Sequence, residues 1–278
     1  MPRESSSAAG GWTYERFDPQ DIRGFEERLM YQRHLFPYTY ALERLAEDSE
    51  VLDFGCGEGY GTALLSTRAR KAIGVDVEPE ALERARSRYR RQNLDFLECA
   101  PSRLPFQAAR FDAVTSCQVL EHVADDHGFV SEAARVLKPG GFFLLTTPNR
   151  LTRLGPGEEP WNLYHLREYE PAGLERLLSR VFKTVQLMGV RASAEAERLE
   201  ARRVRSLVRL HRLDPFRLRR WIPASVQSAV LGSLAWLRQR RGSLEGSACR
   251  EEDLMGFRAQ EESLEESLDL IALCRTVQ

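Results

Sequence analysis

The chain has 278 residues, 42% of them hydrophobic, and a formal net charge of −1. That length supports one sizeable core with a modest extra subdomain, and the balanced charge argues against nucleic acid as the main partner. The sequence shows no secretory signal and no apolar run long enough to span a membrane, so a cytoplasmic protein is expected. Five cysteines (Cys56, Cys99, Cys117, Cys249 and Cys274) show no C-x-x-C spacing, which speaks against a zinc site or a disulfide framework.

In chain order, residues 1–20 open with small and polar residues and are expected to be a disordered tail. Phe25 to Phe36 carries apolar residues at helical spacing, and Tyr38 to Glu47 predicts a second helix leading into the first strand. Next, Val51-Leu52-Asp53-Phe54 ends in the alternating glycines Gly55, Gly57, Gly59 and Gly61, before a helical segment from Ala63 to Ala69. This reads as strand, tight turn and helix start, a nucleotide-type cofactor site whose glycines admit a ligand close to the backbone. The helix start is expected to aim backbone N–H groups at whatever lies over the loop. No register of these glycines satisfies the dinucleotide pattern G-x-G-x-x-G/A, and no Walker lysine follows.

Lys71 to Val77 predicts a second strand whose Asp76 stands where a nucleotide fold places its ribose-binding acid, about 20 residues beyond the first glycine. The plainer role for Asp76 is to cap the helix begun by Glu78-Pro79. Leu94 to Cys99 predicts strand three, and Phe111 to Cys117 strand four, followed by Gln118-Val119-Leu120-Glu121-His122. A helix from Gly128 to Leu137 stops at Lys138-Pro139-Gly140-Gly141, and Phe142 to Thr147 forms strand five.

From the glycine loop onward, the order and spacing of these motifs, with Arg135-Val136-Leu137-Lys138-Pro139-Gly140-Gly141 in place, resembles the class I S-adenosylmethionine-dependent methyltransferases. The resemblance extends to the group that includes ubiquinone-biosynthesis-type and polysaccharide-cluster enzymes, and covers roughly residues 36–190 plus the last strand. It implies an α/β, Rossmann-like fold. A seven-stranded, mostly parallel sheet would carry helices on both faces, with strand seven (Ser267 to Cys274) returning antiparallel between strands five and six. Strand six is expected over Phe182 to Val190. The methyltransferase domain would take residues 21–192 and 264–278, with 193–263 as a helical, arginine-rich insertion before the last strand.

The resemblance further implies S-adenosyl-L-methionine as cofactor, held by Asp53, Gly55, Cys56, Gly57, Gly59, Asp76, Val77, Ala100, Pro101 and Gln118. Related enzymes usually read Gly-Asp-Ala where this chain has Cys99-Ala100-Pro101, so the acid that binds the adenine amino group is missing. Pro101 also offers no N–H, which leaves Ser102 or apolar contacts to hold the base.

A sulfonium methyl is already activated, but a hydroxyl acceptor must lose its proton, and histidine is a suitable base. His122, after strand four, and His165, in Trp161-Asn162-Leu163-Tyr164-His165-Leu166-Arg167-Glu168-Tyr169 after strand five, are the catalytic candidates. The plainer reading of each is an imidazole that fixes a loop. Tyr31, His34 and Tyr38 are pocket candidates on the same argument, though aromatic residues at that spacing are more often core. Gln118-x-x-Glu121-His122 is similar to the Glu-x-x-Glu-His pattern of metal-assisted RNA 2′-O-methyltransferases. An amide replaces the first carboxylate and no second histidine is adjacent, so no metal is expected.

Arginines cluster from Arg202 to Arg241, and Pro223 predicts a helix with Val226, Val230, Leu234 and Leu237 on one face. A lid packed on the domain is the favoured reading. Peripheral contact with the inner membrane face through residues 203–241, flanked by Trp221 and Trp236, is the second. The expected partner is a small-molecule, glycan or lipid-linked acceptor. A quinone- or lipid-modifying enzyme at the membrane surface and a non-catalytic cofactor-binding module are the alternatives.

Overall fold

The computed structural model describes residues 22, 24–162, 164–212 and 256–276. The expected N-terminal tail, Cys249, and most of the arginine-rich stretch with its helix from Pro223 lie outside the described residues.

The chain begins with helix α1 (Phe25–Leu42) and alternates into β1 (Glu50–Phe54), α2 (Tyr60–Leu65), β2 (Lys71–Asp76), α3 (Pro79–Arg88), β3 (Leu94–Glu98) and β4 (Phe111–Cys117). A 3₁₀ turn, Leu120–His122, leads to α4 (Asp126–Val136), β5 (Leu137–Pro148), α5 (Arg150–Arg153), α6 (Pro171–Leu178), β6 (Thr184–Arg191) and α7 (Ala194–Arg212). The described chain closes with β7 (Arg258–Gln260) and β8 (Asp269–Arg275).

All eight strands form one sheet in the order β3-β2-β1-β4-β5-β8-β6-β7. Strands β1 to β5 pair in parallel, and β8 runs antiparallel between β5 and β6, as the resemblance implied. The strand beyond the expected seven is β7, three residues long, which pairs antiparallel with the outer edge of β6. It falls within the stretch expected to be inserted helix. Alternation of side chains along each strand divides the core. Leu52, Phe54, Ile73, Val75, Val114, Phe143 and Leu145 face α4 and α6. Val51, Ala113 and Leu144 face α1 and α2 through Tyr38, Ala41 and Leu65. Both faces are covered, which is why these strands read as apolar runs.

The two N-terminal helices expected from the sequence are one. Pro37 lies inside α1 and is buried, along with Leu29, Met30, Arg33, Tyr38 and Ala41. Proline removes one N–H from the helical ladder, but the buried face runs continuously through it, and packing outweighs the lost bond. Within that face Arg33 is a buried cation. Its guanidinium donates to both Asp269 oxygens at 2.5 Å, to Glu200 Oε1 at 2.5 Å and to the Leu268 carbonyl at 3.1 Å. Arg203 also donates to Glu200, at 2.7 and 2.5 Å. Burial opposes the charge on Arg33, but Asp269 and Glu200 outweigh it and hold the guanidinium protonated. This cluster joins α1, α7 and β8, so the described part of the insertion is anchored on the domain.

Candidate functional site

Strand order reverses between β1 and β4, and the carboxyl ends of parallel strands at such a point form a crevice for ligands. The glycine loop leaves β1 there. Four of its amides are used within the protein. Gly55 N and Cys56 N donate to the Val75 carbonyl at 2.8 and 3.0 Å, and Gly59 N to the Cys56 carbonyl at 2.9 Å. Gly57 N donates to Asp76 Oδ2 at 2.8 Å. These four amides precede the helix start at Tyr60, whose first N–H groups are the ones expected to face a ligand. Bonded to β2 in this way, the loop is a shaped surface, suited to a cofactor without phosphate.

The glycines do different work. A Cβ at Gly55 would collide with Val119, and one at Gly61 with the Tyr38 ring, so these two let the turn after β4 and helix α1 pack closely here. Gly57, at φ +50°, faces open space: a Cβ there would meet nothing within 4 Å. Among the glycines of this loop, it is the one whose backbone both takes the left-handed conformation and lies bare.

Beneath the loop Asp53 is fully buried, accepting from Thr62 Oγ1 at 2.6 Å and Thr115 Oγ1 at 2.9 Å. Burial pushes its carboxyl up to about 6, while the hydrogen bonds from Thr62, Thr115 and Tyr38 pull the other way. Burial likewise pushes the Cys56 and Cys117 thiols well up, so neither is a thiolate nucleophile near neutral pH. Asp76 ties the glycine loop to the segment that leads into α3. It holds Gly57 N and also accepts from Glu78 N at 3.0 Å, at the entry to α3. Glu58, missed in the sequence, is buried in the loop and takes a bidentate bond from Arg84 of α3 at 2.6 to 3.1 Å.

Where the resemblance implies an adenine contact, Ala100 is exposed and Pro101 half-buried. Val77, beside Asp76, is 55% exposed. Gln118, just after β4, stands at φ +57°, a conformation uncommon for this residue type, with its N–H bonded to the Thr146 carbonyl at 3.0 Å. Such local strain clusters at functional sites. Tyr38 and Tyr31 close the other side, each in edge contact with Tyr60 (centroids 6.0 and 5.3 Å).

The two histidines, 43 positions apart in sequence, are brought together. Leu166 N donates to the Glu121 carbonyl at 2.9 Å, and Arg167 donates to the Val123 and Ala124 carbonyls at 3.0 and 2.9 Å. These bonds hold the loop after α5 against the turn after β4. The rings of His122 and His165 meet edge to face, centroids 4.8 Å apart. His122 is half-buried and its Nδ1 donates to the Tyr164 carbonyl at 3.0 Å. His165 is fully buried, with Nδ1 donating to Glu168 Oε1 at 2.8 Å, and Arg153 Nε reaches the same oxygen at 3.1 Å. His122 is thus the more exposed ring of the pair, and His165 the buried one. Glu168 and Arg153 were not singled out from sequence. The i, i+3 spacing of His165 and Glu168 was the available signal.

Glu121 is also fully buried, with Oε2 accepting from Thr147 Oγ1 at 2.9 Å. One ligand atom from each of Glu121, His122 and His165 lies within 4.8 Å of the others. The second histidine that the local sequence lacks is supplied by the loop after β5.

Residues 52–145 match the family described as methyltransferase domain. Over 250 residues the chain is 36% identical to a "Probable S-adenosylmethionine-dependent methyltransferase" of Mycolicibacterium smegmatis, covering 89% of each chain. A protein of Mycobacterium tuberculosis with a similar name is 31% identical over 249 residues, 89% of this chain and 84% of that one. Among solved structures, the [4+2]-cyclase SpnF superposes with a TM-score of 0.55 at 19% identity, over 88% of this chain and 82% of that chain. An S-adenosylmethionine-dependent methyltransferase of Thermotoga maritima gives 0.54 at 15% identity, over 91% and 94%. These last two likenesses show the fold alone. Among the described residues no helix is long and apolar enough to cross a membrane. The sheet order, the bare Gly57 beside Asp76, and the extent of the mycobacterial matches lead to one conclusion: this chain belongs to the class I S-adenosylmethionine-dependent methyltransferases.

Proposed function

We propose that the chain transfers the cofactor's methyl group to an oxygen of a small molecule, a sugar or a lipid-linked glycan, and that the acceptor hydroxyl meets His122. The observation carrying this reading is the imidazole pair, with each Nδ1 committed to an outward bond. A neutral ring that donates through Nδ1 keeps its basic lone pair on Nε2. In this account Asp76 and Val77 hold the ribose and adenine, with Ala100 and Pro101 completing an apolar seat for the base. Gly55, Cys56, Gly57 and Gly59 shape the surface under the methionine portion, Asp53 supports it from below, and Gln118 lies between donor and acceptor. The bound cofactor supplies a methyl carbon on sulfonium, already open to displacement. Much of the protein's contribution is then alignment of the acceptor, and His122 takes the hydroxyl proton with His165 and Glu168 fixing its surroundings.

A second reading has a specific observation behind it. Leu151, Tyr164 and Leu166 are 42%, 46% and 56% exposed on and around the loop that carries His165. An apolar rim of this kind suits a quinone or lipid acceptor at a membrane surface. Relatives matching part of the chain include a "Fatty-acid O-methyltransferase" of Mycolicibacterium smegmatis, 34% identical over 137 residues. They also include a "Ubiquinone biosynthesis O-methyltransferase" of Methylocella silvestris, 32% identical over 134 residues.

Incubating the protein with methyl-labelled S-adenosylmethionine and extracts fractionated into glycans, lipids and small molecules tests both. Label in the polar fractions supports the first reading, and label in free lipid or quinone supports the second. Cofactor binding without transfer to any fraction would instead favour a non-catalytic binding module.

A further inference from the structure

We infer that Glu121, His122 and His165 form a binding site for a divalent first-row transition-metal cation at the acceptor side of the cleft. The inference rests on one part of the proposed function, that the acceptor oxygen meets His122, and gives His122 the role of ligand in place of base. Two imidazoles and one carboxylate are a donor set that such cations accept, and three protein ligands leave positions open for water or a hydroxyl.

Two independent features of the site support it. The first is convergence. The three ligand atoms already lie within 4.8 Å of one another, although His165 comes from a different loop. Around one cation with bonds near 2.1 Å, ligand atoms sit roughly 3 to 4 Å apart, so a shift of about 1 Å in the Glu121 and His122 side chains closes the site. The second is support from behind. His122 Nδ1 is held by the Tyr164 carbonyl, His165 Nδ1 by Glu168, and Glu121 Oε2 by Thr147. Metal-binding histidines characteristically donate their other ring nitrogen to a carbonyl or carboxylate, and bound carboxylates are themselves hydrogen-bonded. Here all three residues are oriented in that manner. Arg153, paired with Glu168, balances the outer carboxylate and leaves Glu121 as the acid in the ligand set.

With the cation bound, the imidazole lone pairs are occupied and the histidines act as ligands. An acceptor hydroxyl on the cation becomes more acidic and gives its proton to water. Its oxygen then forms the bond to the methyl carbon as the carbon–sulfur bond breaks, and S-adenosylhomocysteine leaves.

The test is titration of the metal-free full chain with Co²⁺ alone, followed by visible absorption and calorimetry, for wild type, Glu121→Gln and His122→Ala. The expected result is one Co²⁺ per chain with imidazole-type absorption bands, displaced by Zn²⁺. Both substitutions should weaken binding by at least about tenfold, while affinity for S-adenosylhomocysteine, the check on folding, stays within about twofold. No binding by the wild type up to about 1 mM, or binding that neither substitution weakens, would overturn it. The outcome is separable from the proposed function. Oxygen methylation at full rate in chelator, without Co²⁺ binding, removes the cation and keeps the reaction. Co²⁺ binding at this site with label found only on nitrogen or carbon does the reverse.

Discussion

In the proposed function, the donor and acceptor sides of the cleft are built on different principles. The donor side is a short contiguous stretch in which backbone does most of the work. Gly55, Cys56 and Gly57 are bonded to the end of β2, Asp53 is buried below, and Gly57 is left bare. The acceptor side is made of side chains delivered by two loops, with Glu121 and His122 from one and His165, Glu168 and Arg153 from the segment after β5. A backbone cradle tolerates few changes and serves one cofactor. A side-chain cluster on loops can be altered without disturbing the sheet, which fits one fold serving many acceptors.

Substitutions should separate the two sides. The largest effect is expected for His122→Ala. Loss of a positioned acid–base group typically costs about 10² to 10⁴ in rate, so kcat should fall by that order. Affinity for S-adenosylhomocysteine in calorimetry should hold within about twofold. Comparable loss of cofactor affinity would mean that the two sides are not separate. Next is Arg33→Ala, which bears on the scaffold beneath both. Removing one partner of a buried ion pair costs roughly 3 to 5 kcal/mol, and denaturant unfolding should report that loss. A change under about 1 kcal/mol, the size of an exposed pair, would contradict the anchoring role given to the Arg33–Asp269–Glu200 cluster.

Asp76→Ala should do the opposite of His122→Ala. Hydrogen bonds to a charged group contribute about 1.5 to 3 kcal/mol, so cofactor affinity should fall roughly ten- to hundredfold. Turnover at saturating cofactor should change less. Unaltered affinity would remove Asp76 from the site.

The smallest effect is a pH dependence confined to the donor side. The Asp53 carboxyl is raised by burial from 3.8 to about 6. Folding therefore favours its protonated form. Relative to the ionised state, that contribution is complete below pH 3.8 and is lost as pH rises through about 6. A cationic sulfonium above the loop favours the ionised form. Cofactor affinity should thus weaken below pH 6, by at most about tenfold per pH unit, and level off above it. Asp53→Asn should flatten the profile. If the slope persists in that variant, another group is responsible.

The sequence revealed these two sides unequally. The glycine loop, Asp76 and the strand order were readable because each is a local pattern whose geometry is fixed by neighbours in sequence. The antiparallel return of β8 was also expected. The eighth strand was not, since three residues, Arg258–Gln260, carry too little alternation to stand out. Two helices were expected where α1 is one, because burial of its inner face runs continuously through Pro37. The pairing of His122 with His165 was invisible because long-range backbone bonds, such as Leu166 N to the Glu121 carbonyl, create it. Adjacency in sequence was the wrong criterion for a second histidine near Glu121.

In the proposed function the donor loop delivers a methyl group to an oxygen placed at His122. The direct measurement is carbon NMR of the product formed from S-adenosylmethionine labelled with ¹³C in its methyl group, using wild type and His122→Ala side by side. The predicted result is a single methoxy resonance that grows with wild type and is reduced at least about a hundredfold in the variant. A resonance from an N-methyl or C-methyl group, or a methoxy signal that forms equally fast without the imidazole, would contradict it.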